Sequence, residues 1–147
     1  MNSDLKQRII QYMEKCRICT IATAGAECQP GISTVFFRNA GVNIYFNTGK
    51  ETQKVKDILN NPRVAIALQT EGPVPTADRD ITGIQYIGRA TTLSDKDMTE
   101  VPQAVIARHK AFDSSKLGKS VIIKVTPTKI YLIDYSQGFR HREALEF

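Results

Sequence analysis

The chain has 147 residues, 41% of them hydrophobic and 24% charged, with a formal net charge of +5. That is the composition of one globular domain, large enough to bury a core without metal or disulfide support. No apolar run approaches the roughly 20 residues that cross a membrane, and the start, Met-Asn-Ser-Asp-Leu-Lys-Gln, lacks the apolar segment of a signal peptide, so the expected compartment is the cytoplasm.

The positive balance is not concentrated; its longest basic cluster is Arg140-His141-Arg142. Without a basic block or an aromatic stacking signature, nucleic acid is set aside and an anionic small ligand is favoured. An odd cysteine count, three, argues against a disulfide scaffold. Cys16 and Cys19 form a Cys-x-x-Cys, but Cys28, His109 and His141 supply no second ligand pair at zinc spacing, so no metal is expected. A thioredoxin-like site would want a strand before that motif and a helix after it, and here the order is reversed. Cys19 reads as a small buried strand residue.

Residues 4–16 read as an amphipathic helix, with Leu5, Ile9, Met13 and Cys16 on one face and Asn2 or Ser3 as cap. Residues 17–24 and 30–38 read as strands around a turn at Gly25-Ala26-Glu27, the second with Ile32, Thr34 and Phe36 on one face and Ser33, Val35 and Phe37 on the other. With residues 42–47 they would make an antiparallel meander. Thr48-Gly49-Lys50-Glu51 has the Thr-x-x-Glu form of a capping box, opening a short helix with Val55, Ile58 and Leu59 inward and Asn60-Asn61-Pro62 at its end. A helix start carrying Thr48, Lys50, Thr52 and Lys54 directly after a strand suits a phosphate, although a capped surface helix carries the same residues.

Residues 63–69 alternate, with Val64, Ile66 and Leu68 inward. Residues 70–80 are irregular, and 81–93 form a long strand with Gly83 and Gly88 as candidate bends or bulges. A helical region from Ser94 is divided at Pro102, its second piece covering 103–112. Residues 120–125 and 129–134 read as two strands around Pro127, followed by a polar, basic tail. About seven strands with peripheral helices point to a mainly β domain, a small antiparallel barrel.

An ordered set of segments, Cys19-Thr-Ile-Ala-Thr23, Pro30-Gly-Ile-Ser-Thr34, Ile44-Tyr-Phe-Asn-Thr48, Thr52-Gln-Lys54, Asn60-Asn-Pro-Arg-Val64, Tyr86-Ile-Gly-Arg-Ala90 and Val125-Thr-Pro127, resembles the pyridoxamine 5'-phosphate oxidase-like, FMN-binding split-barrel family. The resemblance implies a six-stranded antiparallel split β-barrel. It also implies a homodimer with FMN at the subunit interface. Gly31, Ile32, Ser33 and Thr34 would line the flavin ring, and Asn47 and Thr48 would touch the cofactor. Thr52 and Lys54 match the positions that hold the phosphate, for which a hydroxyl and a point charge at a helix start are apt. Two positions depart from the pattern. Gln53 stands where many members carry Arg, and Gly83 where the oxidase proper has a flavin-contacting Gln, for which Gln85 is the candidate substitute. The basic and His positions that hold the pyridoxal substrate near the C-terminus are not found, which argues against the oxidase reaction itself.

The implied function is an FMN-dependent oxidoreductase or flavin reductase acting on a small molecule, with NADH or NADPH as candidate donor. The alternative is a non-catalytic flavin- or haem-binding or sensor protein. Hydride transfer needs no side-chain nucleophile, and no Ser-His-Asp or Cys-His arrangement is expected. His109 reads as solvated, and His141 as a tail residue or a substrate contact. Phe139 either stacks near the flavin or anchors the tail. Tyr86 and Tyr131 read as strand packing.

Overall fold

A computed structural model describes residues 2–115 and 118–147. Its elements run α1 (Asn2–Glu14), β1 (Ile18–Ala24), β2 (Pro30–Phe36), β3 (Arg38–Ala40), β4 (Asn43–Gly49), α2 (Gln53–Asn60), β5 (Arg63–Leu68), β6 (Thr82–Leu93), α3 (Gln103–Asp113), β7 (Ser120–Asp134) and β8 (Arg142–Glu146), with short 3-10 turns between some of them. The strands form one antiparallel sheet in the order β2-β1-β5-β6-β7-β4-β3, with β8 added against β7. β2 and β3 stand at opposite ends of that path, yet only Phe37 separates them in the chain. The sheet therefore has to curl until its ends meet, which is a barrel. Among the described residues the strands number eight rather than six; the difference is the break at Phe37 and the extra β8.

The expected three-strand meander does not form. β2 pairs with β1, while β4 pairs with β3 and β7. Phe37 is fully buried and its amide donates to the Arg17 carbonyl at 2.9 Å, so the chain leaves β2 at this point. The core lies inside the curl, built from residues such as Ile21, Ile44, Phe46, Ile66, Ile84 and Tyr86. The Tyr86 hydroxyl donates to the carbonyls of Val42 (2.7 Å) and Val125 (3.1 Å), satisfying its one polar atom. Val64, Ile66 and Leu68 point inward as their alternation predicts.

Pro127 does not interrupt the sheet; β7 is one strand of 15 residues. Gly88 faces Pro127 and Ile87 faces Lys129, so Thr128 is the extra residue of a bulge. A bulge accepts proline because the local ladder lacks a place for its missing N–H. The tail also departs from expectation, since Arg142–Glu146 pairs with β7 and buries Leu145. Arg8 of α1 clamps it with a two-pronged bond to Glu143 (2.8 and 2.9 Å). α3 covers β4 and β7 through a second small core of Tyr45, Val101, Val105 and Ile122.

Among the described residues, no helix is long and apolar enough to cross a membrane.

Candidate functional site

The junction of β4 and α2 differs from the expected capping box. Thr48 is a buried strand residue opposite Val121, because pairing with β7 extends β4 to Gly49. The N-cap is Thr52, whose hydroxyl donates to the Gly49 carbonyl at 2.9 Å and makes no cap bond to the helix. Leu59 is 69% exposed, and the inward positions of α2 are Val55, Asp57 and Ile58. The first turn of α2 therefore keeps amides without a side-chain acceptor.

Lys54 crosses this junction. Its ammonium donates to Thr48 Oγ1 at 3.0 Å. The side chain is half-buried, and burial pushes its pKa down. Among the described residues no carboxylate pairs with it. A desolvated cation with no counter-ion beside a helix start is a place for an anion.

One turn further along α2 stands a buried carboxylate. Asp57 is 4% exposed and accepts from Thr23 Oγ1 (2.8 Å) and Gln53 Nε2 (2.9 Å). Those bonds, Gln53 first and Thr23 second, hold its pKa below the usual carboxylate value against the opposing effect of burial. Two glycines make room for it. A Cβ on Gly25 would stand 2.7 Å from Asp57 Oδ1, and one on Gly31 would stand 2.9 Å from Oδ2 and 2.8 Å from Thr23 Oγ1. Asp57 thus stitches α2 to the β1–β2 hairpin.

Among the described residues β2 has a ladder partner on one side only, so its other edge offers amides and carbonyls outside the ladder. Gly31 and Ser33 alternate to the inner side, while Ile32 and Thr34 face outward. The outer face of β2, β1, β5 and β6 is apolar and open. Ile32, 76% exposed, lines a shallow depression of about 330 Å³ with Ala22, Ala65, Ala67, Gln85 and Ile87.

The family model described as pyridoxamine 5'-phosphate oxidase matches residues 5–134. The chain belongs to this family. It is 28% identical over 133 residues to General stress protein 26 of Bacillus subtilis (strain 168), covering 89% of each chain. The solved structure of General Stress Protein 26 from Bacillus anthracis str. Sterne superposes with a TM-score of 0.69 at 22% identity, covering 97% of this chain and 98% of that one. A heme binding protein from Mycobacterium smegmatis superposes with a TM-score of 0.77 at 12% identity, covering 96% of this chain and 57% of the other. At such identities the two structures show a shared fold.

On this pyridoxamine 5'-phosphate oxidase-like frame the expected site residues fall into three groups. Thr48, Thr52 and Lys54 meet at the β4–α2 junction. Gln53 and Gly31 meet at Asp57 rather than at Lys54. Ile32 and Gln85 share the outer depression, and Thr34 lines the next one along that face. Asn47 is half-buried opposite Ile122, on the side that α3 covers, and Ser33 stands opposite Ile21. Gln85 and Gly83 do share a strand face, and Gly83 is small because a Cβ would stand 3.0 Å from the Leu68 carbonyl.

Sequence reasoning missed Asp57, whose signal was the Gln53-x-x-x-Asp57 spacing of one helical turn. It also misjudged His109. That ring is not solvated: Nδ1 meets Ser120 Oγ, and Nε2 stands 3.6 Å from Asp113. A serine, a histidine and an aspartate do stand together, contrary to expectation. However, Ser120 is buried and its amide donates to Asp113 Oδ1 at 2.6 Å, so the group ties the end of α3 to the start of β7. Phe139 is 69% exposed and meets Tyr135 edge-on at 6.0 Å.

Proposed function

We propose that this chain binds FMN between two copies of itself and acts as an FMN-dependent oxidoreductase or flavin reductase on a small molecule, with NADH or NADPH as electron donor. The observation that carries the reading is Lys54, a half-buried cation without a carboxylate partner at the start of α2. Lys54, the Thr52 hydroxyl and the first amides of α2 supply what a phosphate needs. The free edge of β2 supplies donors for a planar ring, and donors at a flavin edge favour its reduced form. Bound FMN supplies the hydride chemistry; the chain's own groups orient it and exclude water. The open apolar face around Ile32 and Ile87 is the surface a second copy would cover. Gln53 carries no charge, which leaves Lys54 as the principal phosphate contact.

A second reading is a flavin- or haem-binding protein without turnover. It is favoured by the shared fold with a heme binding protein; His141 Nε2, buried and without a hydrogen bond among the described residues, stands 3.9 Å from Glu143. The visible spectrum of the purified protein, followed by addition of NADH or NADPH, separates the two. A flavin spectrum bleached at a catalytically useful rate supports the oxidoreductase. A flavin or haem spectrum that the nucleotides leave unchanged supports the binding protein. A colourless protein that takes up neither added FMN nor haem contradicts both.

A further inference from the structure

Asp57 stands where α2, which carries Lys54, meets β2, which carries the edge outside the ladder. Its two carboxylate oxygens serve different elements. Thr23 Oγ1 donates to Oδ2 at 2.8 Å, and Gln53 Nε2 donates to Oδ1 at 2.9 Å. Gly31 lies against the same carboxylate, since a Cβ there would stand 2.9 Å from Oδ2. Thr23 and Gly31 are register partners in the β1–β2 ladder, so Asp57 holds both strands of the hairpin at one level. A ligand that reaches from the start of α2 to the edge of β2 crosses this contact.

The carboxylate also decides which way the Gln53 amide faces. Its bonds from Gln53 and Thr23 hold the Asp57 pKa below the usual carboxylate value, so at neutral pH the group has lone pairs and no proton. Whatever meets it must donate. The Gln53 nitrogen is therefore turned to Asp57, and Oε1 is left without a hydrogen-bond partner among the described residues. Gln53 is exposed, which leaves that oxygen open to a ligand.

An amide oxygen accepts and cannot donate. A phosphate at neutral pH accepts as well, so the two do not pair. What Gln53 Oε1 can take is a ligand hydroxyl. A buried carboxylate one turn along α2 from Lys54 also opposes a nearby anion. The gain that stands against this repulsion is a Gln53 amide with a fixed polarity.

We propose that Gln53, held in place by Asp57, recognises a hydroxyl on the chain that joins the phosphate to the ring, so that the site selects a flavin carrying a polyol phosphate. Gln53 is then a specificity residue that touches the ligand, and Asp57 is its positioning residue. The inference rests on the FMN reading of the Lys54 junction.

The test is fluorescence titration of the flavin-free full chain with FMN and with an analogue in which the hydroxylated chain is replaced by a plain alkyl chain of equal length ending in the same phosphate. The proteins are wild type, Gln53→Met, Asp57→Asn, the double variant and Lys54→Ala, each verified as folded by a thermal melt at neutral pH. Wild type should prefer FMN. Gln53→Met should lose about fivefold of that preference, the worth of one neutral hydrogen bond, by weakening FMN and leaving the analogue unchanged. Lys54→Ala should weaken both ligands alike. Asn at position 57 donates as well as accepts and no longer fixes the amide. Asp57→Asn should accordingly lower the preference when Gln53 is present and have no further effect in the double variant. A Gln53→Met protein that keeps the wild-type preference, or that weakens both ligands equally, overturns this inference and leaves the flavin reading standing. An Asp57→Asn effect that persists undiminished in the double variant overturns the positioning role. A wild type that binds neither ligand overturns the flavin reading and this inference with it.

Discussion

Asp57 and Lys54 lie within one turn of the same helix, and their surroundings move them in ways that can be measured. The hydrogen bonds from Gln53 and Thr23 lower the Asp57 pKa in the folded chain, whereas the unfolded value is about 3.9. A depressed carboxylate contributes stability that is fully present above the unfolded value and is lost as pH falls through the folded one. Thermal melts between neutral pH and about pH 3 should therefore show wild type losing more of its melting temperature than Asp57→Asn; parallel curves would contradict this. Lys54 runs the other way. Burial lowers its pKa in the free protein, and a bound phosphate would restore it, so binding takes up protons. FMN affinity should accordingly fall as pH rises through the alkaline range, and Lys54→Ala should remove that dependence.

At the scale of elements, the bulge where β6 meets β7 is the clearest mechanical feature. Gly88 lies against the Thr126 carbonyl, with Tyr86 Cε1 3.0 Å from where a Cβ would stand. Gly88→Ala should cost about 1–3 kcal/mol in urea unfolding, as an overpacked site, while Gly72→Ala, in open space, should cost far less. Period-two alternation made β5 legible, and four-residue spacing made α1 legible. Pro127 misled because a proline usually ends a central strand, and only the partner across the ladder reveals a bulge. β8 was hidden because Arg142–Glu146 carries a single buried apolar residue, Leu145. The meander failed for a different reason: short connections suggest neighbours, but the burial of Phe37 sends the chain from one end of the sheet to the other.

For the whole molecule, the open outer face predicts assembly. Ile32→Glu, at a residue 76% exposed, should convert a dimer to a monomer in sedimentation equilibrium with little change in melting temperature. A wild-type monomer would contradict the dimer. The ordered segments made the family and its split barrel legible, because they recur in the order the fold needs. They also named Lys54 and Thr48, which do touch. Asp57 was only half legible: the one-turn spacing from Gln53 signals one of its bonds, whereas Thr23 is distant in sequence and only the folded sheet brings it there.

The most direct test of the flavin reading is titration of flavin-free protein with FMN, followed by quenching of flavin fluorescence, for wild type and Lys54→Ala. Wild type should bind saturably, and the variant should bind about tenfold or more weakly, for loss of a charged hydrogen bond to the phosphate. Equal affinities, or no quenching by wild type, would contradict the assignment of Lys54 as the phosphate's partner.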